Sequence, residues 1–399
     1  MIRPKAHFQE GGCQAMQIIR NLLSIDTDTV SVIGRLLPCA PGKACFFDIE
    51  TTGLSPKISN VYLIGAAFLR DDQIELIQWF ADDYTSEATL LSAFSEALSD
   101  CDTVIHYNGT TFDIPYLTKK YIQHGMPDPF LHLESLDLYR EVNRFCKKYS
   151  EKTRKGPNIF HTDNLKLVTV ERLLGFDRGK DFSGKECIQL YTDFMQEKFA
   201  HHEEHQEELK TALLSHNHDD LIGTCLATKL LIFSNYQKNT PTLTVTENEA
   251  VFSDTLPDGM TYPFPLIYHI HMGSSGKASQ ASTGTTDTET AGVTCEDDTL
   301  TLRLPLFKGE LCHYFSDYKD YFYLPDEDMA VHKSVGAFVD KEHREPASAA
   351  NCYVRKEGVF MPVPSMLPDT LIYHKKNAPK GACYIEAHSA SDEMISFLL

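Results

Sequence analysis

The sequence lacks paired cysteines. Its eleven cysteines stand singly, with no C-x-x-C motif and no regular spacing, which is typical of reduced thiols in a cytoplasmic protein rather than of a disulfide framework or a zinc site. No run of about eighteen apolar residues occurs, so a transmembrane helix and a membrane partner are not expected. The first residues, MIRPKAHFQEGGCQ, contain no apolar core, and a secretion signal is therefore not predicted.

Positive charge is also scarce. The 37 lysines and arginines are outnumbered by 56 aspartates and glutamates, and the formal net charge is −19. Bulk electrostatics therefore cannot hold a nucleic acid, and a phosphate-rich ligand would require local basic patches or metal ions. The apolar content of 42% in 399 residues is enough for about two domains with cores of their own.

The order of the patterns predicts an α/β domain followed by a smaller β-rich region. Residues 1–43 form a predicted N-terminal extension with one short helix, at 15–23. From 44 to 235, a meander of strands is followed by strands that alternate with helices, which predicts a mixed sheet flanked by helices. Residues 241–399 are β-rich and of unknown role. Within them, the stretch 273–298 has almost no large apolar side chain and is predicted to be a disordered linker or a long mobile loop.

The first strand of the predicted sheet, CFFDIETTGL at residues 45–54, contains two carboxylates in an otherwise apolar run. Side chains at i and i+2 of a strand point to the same face, so Asp48 and Glu50 are expected to converge. Like charges this close need a neutralising partner, and a hard divalent cation with oxygen ligands is the natural one. An exposed edge strand with incidental acids is the alternative, and D-x-E alone does not decide between them.

A second candidate group follows a later strand, in VIHYNGTTFDIPYL. Asn108 stands at the end of the strand and could orient a metal ligand or a substrate phosphate. Asp113 stands at the start of the next predicted helix, where a carboxylate can cap the helix and still point toward the edge of the sheet. A plain asparagine turn and a plain N-cap explain the same residues equally well.

A third group lies in the helical stretch LLSHNHDDLIGTCLATKLL. Positions four apart on a helix share a face, which places His216 one turn before Asp220. His218 and Asp219 are expected to point elsewhere. A polar helix end is the competing interpretation, because the HHEEH run upstream is equally polar and is best explained as a solvated face.

Together, the three groups are more specific than any one of them. FDIETTGL and HYNGTTFDIPYL resemble the first two motifs of the DEDD exonucleases, which have a ribonuclease H-like fold, and a helical Asp after a basic or phenolic group resembles the third. SLDLYREVNRF, NLKLVTVERLLGFDRGKDFSGKECIQLY and HNHDDLIGTCLATKLL are similar to the bacterial YprB-type ribonuclease H-like domain. The resemblance covers about residues 40–235 and does not reach the C-terminal region.

The resemblance implies a two-metal nuclease of the 3′–5′ exonuclease type. Its acidic quartet would hold two divalent ions, Mg²⁺ or Mn²⁺, which would activate a water and stabilise the phosphate and the leaving 3′ oxygen. The quartet would consist of Asp48, Glu50, Asp113 and Asp220. The resemblance also places Thr52, Gly53 and Leu54 around the terminal nucleotide, with Leu54 beside a base.

One position departs from the pattern of the resembled family, whose members have Tyr four residues or His five residues before the last Asp. Here His216 stands four residues before Asp220. Histidine titrates near neutrality and could accept the proton of the water, but it could also orient the water or have neither role.

The predicted activity is hydrolysis of phosphodiester bonds at the 3′ end of a single-stranded DNA or RNA, with protein partners unknown. A catalytically weak or inactive module that binds nucleic acid or protein on the same fold is the alternative, and four clustered carboxylates argue against it. The sequence does not separate exonucleolytic from endonucleolytic action.

Two further segments are candidates for nucleic-acid contacts. YREVNRFCKKYSEKTRKG is basic, and HYFSDYKDYFYL, at 313–324, contains aromatic residues that could stack on bases. A solvated loop explains the first segment equally well, and core packing of a β-hairpin is the favoured explanation of the second. The basic residues are Arg140, Arg144, Lys147, Lys148, Lys152, Arg154 and Lys155.

Overall fold

The computed structural model describes residues 16–148, 158, 160–179, 182–233, 242–271, 278–279, 290–363, 372–377 and 382–389. The chain folds into two compact units. The first comprises Met1–Phe145 and Thr162–Tyr236, and the second Cys146–His161 and Gln237–Leu399. No helix among the described residues is long and apolar enough to cross a membrane.

The first unit contains a mixed sheet. Its described strands are Met16–Leu22 (β1), Ala44–Thr51 (β2), Val61–Arg70 (β3), Gln73–Ala81 (β4), Thr103–His106 (β5) and Glu134–Asp137 (β6). The order across the sheet is β1-β4-β3-β2-β5-β6. The pairs from β1 to β2 are antiparallel, whereas β2–β5 and β5–β6 are parallel. The predicted mixed α/β sheet is confirmed.

Helices pack against this sheet. Those described in the first unit are Thr27–Leu36 (α1), Glu87–Ala97 (α2), Asp113–Gln123 (α3), Leu138–Lys148 (α4), Leu167–Leu173 (α5), Gly184–Phe199 (α6) and Glu203–Ala227 (α7). Short 3₁₀ turns lie at Pro41–Lys43, Pro129–His132 and Thr228–Phe233. Helix α7 packs on β2 and β3, α6 also contacts β2, and α5 packs on α7.

The centre of the sheet is apolar on both faces because helices cover it. The β3 sequence VYLIGAAFLR is buried except at its last residue, and β2 is nearly as buried. Aromatic rings fill the space between sheet and α6: Tyr62 stacks on Tyr191 with ring centroids 3.9 Å apart, and Phe80 meets Phe194 edge-on at 5.2 Å.

The helix predicted at residues 15–23 is wrong. Residues Met16–Leu22 form β1, which pairs with β4 along its whole length. The apolar spacing fits a helix, but Ile18 and Ile19 face opposite sides of the sheet, and Ile19 packs on the core while Ile18 is half exposed. The edge of β4, which is distant in sequence, determines the conformation of this segment. The short helix of this region is α1.

The second unit is β-rich, as predicted. Its described strands are Thr242–Val245 (β7), Glu249–Thr255 (β8), Leu266–His271 (β9), Ala278–Ser279 (β10), Thr290–Glu296 (β11), Thr299–Pro305 (β12), Phe307–Tyr314 (β13), Tyr321–Leu324 (β14), Met329–His332 (β15), Glu345–Pro346 (β16), Tyr353–Val363 (β17) and Cys383–Glu386 (β18). They form antiparallel sheets in the orders β10-β9-β11-β12-β8-β7, β13-β17-β18 and β15-β14-β16. The described part of this unit also contains a one-turn helix, Lys333–Gly336 (α8).

The prediction of a disordered stretch at 273–298 is wrong for its last part, which forms β11 between β9 and β12. Alternate side chains of this strand, Ala291, Val293 and Cys295, are buried. Small and β-branched residues are sufficient here because two neighbouring strands supply the rest of the packing. Residues 273–277 and 280–289 lie outside the described part of the chain.

Candidate active site

Asp48 and Glu50 project from β2, next to the centre of the sheet, and point to the same face. One carboxylate oxygen of each lies within 4.8 Å of the other and of an oxygen of Asp220 on α7. The residues between and around them on β2 are buried. The bulge in the pairing of β2 with β3 falls at Glu50 and Thr51, directly after the two acids. The edge-strand interpretation is therefore wrong, because β2 is covered and paired on both sides.

Helix α7 adds His216 one turn before Asp220. His216 is 7% exposed, and its Nε2 lies 3.5 Å from Glu50 Oε1 and 3.4 Å from Asp220 Oδ2. Its Nδ1 has no hydrogen-bond partner among the described residues. The neighbouring Asp219 turns away and lies 3.1 Å from His218 Nδ1. The i, i+4 spacing thus places the predicted pair on the face that meets β2.

Asp113 is the first residue of α3. The capping role predicted for it is wrong: Phe112 occupies the N-cap, and no side chain caps this helix. The Asp113 side chain instead lines the same cavity as Asp48, Glu50 and Asp220. All four predicted acids therefore border one space.

The electrostatics of this cluster are unfavourable without a cation. Burial raises the pKa of Asp48 well above its usual range, and the charges of Asp220, Asp113 and Glu50 raise it further. Burial, followed by the charges of Asp220 and Asp113, does the same to the pKa of Glu50. Burial also raises the pKa of Asp113 to about 7, against two backbone hydrogen bonds that lower it. Since the oxygens of Asp48, Glu50 and Asp220 are close enough to share an ion, these residues fit a hard divalent cation.

A buried arginine provides part of the neutralising charge. Arg178 Nη1 lies 2.6 Å from Asp220 Oδ1, while its Nε donates to Glu171 Oε2 at 2.7 Å and its Nη2 donates to Glu171 Oε1. The side chains of Arg178 and Glu171 are 2% and 0% exposed. Burial raises the pKa of Glu171 to about 7, although Arg178 opposes the shift. Neither residue was predicted from the sequence, although the acid Glu171 inside the apolar run LVTVERLLG is a signal for it.

A chain of amides orients Asp48. Asn217 Nδ2 donates to Asp48 Oδ2 at 2.9 Å, and Asn217 Oδ1 accepts from Gln78 Nε2 at 2.9 Å. Gln78 also donates to the Leu214 carbonyl oxygen. Asn217 is fully buried and Gln78 nearly so. The sequence analysis missed these residues as well, although a glutamine in the middle of QIELIQWFA is a polar residue where a buried strand favours an apolar one.

Two glycines make room for these supporting side chains. A Cβ on Gly65 of β3 would lie 2.1 Å from Asn217 Oδ1, and a Cβ on Gly223 of α7 would lie 1.8 Å from Glu171 Oε1. Neither distance is physically possible, so both contacts depend on the missing side chain.

Residues 45–232 match the family model of the RNase_H superfamily. This segment has the ribonuclease H-like fold. Solved structures similar to the chain include the family B DNA polymerase of the hyperthermophilic archaeon Pyrobaculum calidifontis, with 13% identity, coverage of 57% of this chain and 34% of that one, and a TM-score of 0.34. An apo exonuclease I has 13% identity, coverage of 47% and 41%, and a TM-score of 0.29. Escherichia coli exonuclease I, in the metal-free form of a complex with single-stranded DNA, has 18% identity, coverage of 34% and 35%, and a TM-score of 0.25. The chain thus spans well under half the length of these structures, and no curated protein matches it.

The acids of the ribonuclease H-like domain line a cavity of about 630 Å³. Apolar rings contribute to its wall, including Tyr107, Phe112 and Phe182. Two exposed lysines also line it: Lys166, at the N-cap of α5, and Lys185, in the first turn of α6. The sequence analysis did not single out either lysine, because each stands alone among uncharged neighbours or acids rather than in a basic run.

Two of the four predicted substrate residues line the cavity, and two do not. Leu54, 79% exposed, and Asn108 line the cavity. Thr52 and Gly53 do not line it; they shape the loop after β2, where Thr52 Oγ1 accepts from the Asn60 N–H and the Gly53 carbonyl accepts from Ser59 Oγ. Asn108 has a positive φ of 65°, and its N–H donates to Asp137 Oδ1, so it also makes the turn that the alternative interpretation expects.

Of the two segments proposed for nucleic-acid contacts, the basic one contributes no described residue to the lining of this cavity. Arg140 lies 3.7 Å from Asp137, Arg144 pairs with Glu141, and Lys147 is exposed. The side chains of Lys148, Lys152, Arg154 and Lys155 lie outside the described part of the chain. In the aromatic segment, Phe315 stacks on Tyr321 at 4.6 Å, and both rings are half-buried.

Proposed function

We propose that the ribonuclease H-like domain is a metal-dependent nuclease that removes nucleotides from the 3′ end of single-stranded DNA or RNA. The observation that supports this most is the convergence of Asp48, Glu50 and Asp220 oxygens within 4.8 Å, in a cavity that Asp113 and His216 also line. Clustered carboxylates such as Asp48 and Glu50, whose pKa values burial raises, destabilise the fold unless the site uses them.

The four acids would hold two divalent ions, Mg²⁺ or Mn²⁺, because their donor atoms are all carboxylate oxygens. Such ions, when bound, supply a water of lowered pKa and stabilise the charge that develops on the phosphate. Asn217 would fix the orientation of Asp48, and Arg178 that of Asp220, so that the oxygens face the ions before the substrate arrives.

His216 would handle the proton of the attacking water. Its Nε2 faces Glu50 and Asp220 rather than solvent, so a water bound beside these carboxylates would lie within hydrogen-bond reach of the ring. The role is that of a general base or of a group that orients the water.

The walls of the cavity suit a terminal nucleotide. Leu54 is exposed at its edge and would pack on a base, while Tyr107 and Phe112 offer apolar ring surface. Lys166 and Lys185 would contact the phosphates of the following nucleotides and supply locally the positive charge that the whole chain lacks.

The test is hydrolysis of 5′-labelled single-stranded DNA, single-stranded RNA and duplexes in Mn²⁺. Wild-type protein should shorten one of the single strands from its 3′ end in single-nucleotide steps. Asp48→Asn and Asp220→Asn should lose the activity by more than about a hundredfold, since removal of one stabilising group in an active site commonly costs that much. Asp219→Asn is the matched control, because this neighbour on α7 faces His218 and should keep full activity.

The products decide between the alternatives. Internal fragments instead of a ladder would indicate endonucleolytic cleavage. Binding of the oligonucleotides without cleavage under any metal would support a non-catalytic module and overturn the proposal, as would full activity in excess chelator. Membership of the bacterial YprB type, a cytoplasmic location and the assignment of residues 44–235 as the catalytic domain stay predictions, and protein partners are unknown.

A further inference from the structure

A cysteine lies beside the acidic site although the cysteine spacing predicts no metal site. Cys187, in the first turns of α6, is fully buried. Its Sγ, a ring nitrogen of His216 and a carboxylate oxygen of Glu50 lie within 4.8 Å of one another. Burial and the charge of Glu50 raise the pKa of the Cys187 thiol, so the sulfur is neutral in the metal-free protein.

One ring nitrogen of the histidine in this group has no hydrogen-bond partner among the described residues. His216 is more than nine-tenths buried, its Nδ1 makes no hydrogen bond among the described residues, and its Nε2 lies between two carboxylates at 3.4 and 3.5 Å. A buried polar atom without a partner destabilises the fold unless something else binds it. A coordinated cation would provide that partner.

The three donors differ chemically from the all-oxygen set of the nuclease site. One sulfur, one imidazole nitrogen and one carboxylate oxygen are the combination that Zn²⁺ and similar borderline-soft cations select, whereas Mg²⁺ does not take thiolate ligands. Bonds of about 2.0 to 2.3 Å to one ion place ligand atoms less than about 4 Å apart, so small side-chain movements would bring the three into range.

We propose that Glu50, Cys187 and His216 form a site for a thiophilic divalent cation of the Zn²⁺ class, completed by water or by Asp220. The cation displaces the thiol proton of Cys187, and this proton is released to solvent. The cation binds His216 in its neutral form. The site shares Glu50 and His216 with the proposed nuclease centre. Its occupation therefore withdraws both from the hard-metal arrangement, a consequence that rests on the proposed function, whereas the binding itself does not.

The test is titration of the metal-free full-length chain with Co²⁺, whose thiolate complexes absorb in the near ultraviolet. Wild-type protein should develop this sulfur-to-cobalt band, and Zn²⁺ but not Mg²⁺ should abolish it. Cys187→Ser should lose the band and bind Co²⁺ at least about tenfold more weakly, since even indirect supports of a metal ligand are worth about 10- to 100-fold in affinity. Cys225→Ser, at an equally buried cysteine of α7, is the matched control and should keep the band.

Absence of the band from wild-type protein, or its persistence in Cys187→Ser, overturns the proposal. His216→Ala provides a second variant for the case in which the serine variant does not fold, and it should weaken Co²⁺ binding to a similar extent. No oligonucleotide is present, so the outcome is independent of the nuclease assay. A band without hydrolysis overturns only the proposed function, and hydrolysis without a band overturns only the thiophilic site.

Discussion

The Arg178 guanidinium lies between two carboxylates, Glu171 and Asp220, with almost none of its surface exposed. Taking these charges out of water is costly, and the three groups compensate one another only as a set. Removing one member leaves an unpaired charge in the interior. The stability of this corner of the domain therefore depends on the pair Glu171–Arg178 as a unit.

Arg178→Gln should lower the free energy of unfolding by about 3 to 5 kcal/mol, because Glu171 then stays buried without its partner. Glu171→Gln should also destabilise, but the double variant should cost clearly less than the sum of the two single changes. Urea denaturation followed by circular dichroism measures the free energy of unfolding of the two single variants and of the double variant. Additive effects would contradict the coupling.

The buried acids also make the metal-free protein sensitive to rising pH. Burial raises the pKa of Asp113 to about 7, and the pKa values of Asp48 and Glu50 shift in the same direction. All three folded-state pKa values exceed the unfolded value of about 4, so the contribution of these acids is full below about pH 4. The contribution of Asp113 is lost as the pH rises through about 7, and those of Asp48 and Glu50 are lost as the pH rises through their own raised pKa values. His106, whose pKa burial lowers to about 4, acts in the opposite direction below about pH 6.5, but it is a single group.

In excess chelator, the free energy of unfolding should therefore be lower at about pH 8 than at about pH 5, by a few kcal/mol. Asp113→Asn should flatten this difference, and saturating Mn²⁺ should remove it, because bound cations stabilise the ionised carboxylates. Urea denaturation at a series of pH values tests this. A chelated protein that gains stability over the same interval would show that the acids are not coupled in this way.

At the scale of elements, helix α7 and strand β2 contribute most of the side chains of the acidic site. Helix α7 presents His216, Asn217 and Asp220 to β2, and it lies close to β3 only because Gly65 has no side chain. The bond from Asn217 to Asp48 then joins helix and strand directly. The position of the helix, rather than the choice of acids alone, sets the distance between the carboxylates.

Gly65→Ala tests the importance of this close approach. The added methyl group would lie 2.1 Å from Asn217 Oδ1, so α7 or Asn217 must shift, and the orientation of Asp48 is lost. We expect a loss of about 1 to 3 kcal/mol in stability and a reduced affinity for Mn²⁺ by calorimetry. Gly292→Ala in β11 is the control: nothing lies within 4 Å of its added Cβ, and stability should be unchanged within about 0.5 kcal/mol.

Sequence alone predicts the parts of this arrangement that depend on local periodicity. The pair Asp48 and Glu50 follows from the two-residue repeat of a strand, and His216 and Asp220 follow from the turn of a helix. Arg178 and Gln78 act across long sequence separations, and no local pattern indicates their partners. The same reason explains why β1 was not predicted, since the edge of β4 sets its conformation.

At the scale of the whole molecule, a net charge of −19 opposes nucleic-acid binding. Lys166 and Lys185 are the described lysines that line the cavity, so few counterions should be released on binding. Binding is measured with a fluorescent single strand in the Asp48→Asn variant, to which the double change Lys166→Gln/Lys185→Gln is added. The double change should weaken binding. It should also make the plot of log K against log salt concentration shallower by about 1.4, since each lost phosphate contact accounts for about 0.7. Lys119→Gln is the control, because Lys119 is exposed on α3, and it should leave the slope unchanged. An unchanged slope in the double variant would show that Lys166 and Lys185 do not contact the phosphates.

The close approach of Gly65 to Asn217 has an evolutionary consequence. Two positions on different elements share one small volume, so neither can accept a larger residue unless the other becomes smaller. The same holds for Gly223 and Glu171. Among natural relatives of this chain, each glycine should therefore covary with its partner rather than drift independently. A lineage that loses Asn217 or Glu171 is free to fill the space and, with it, to abandon the orientation of the acids.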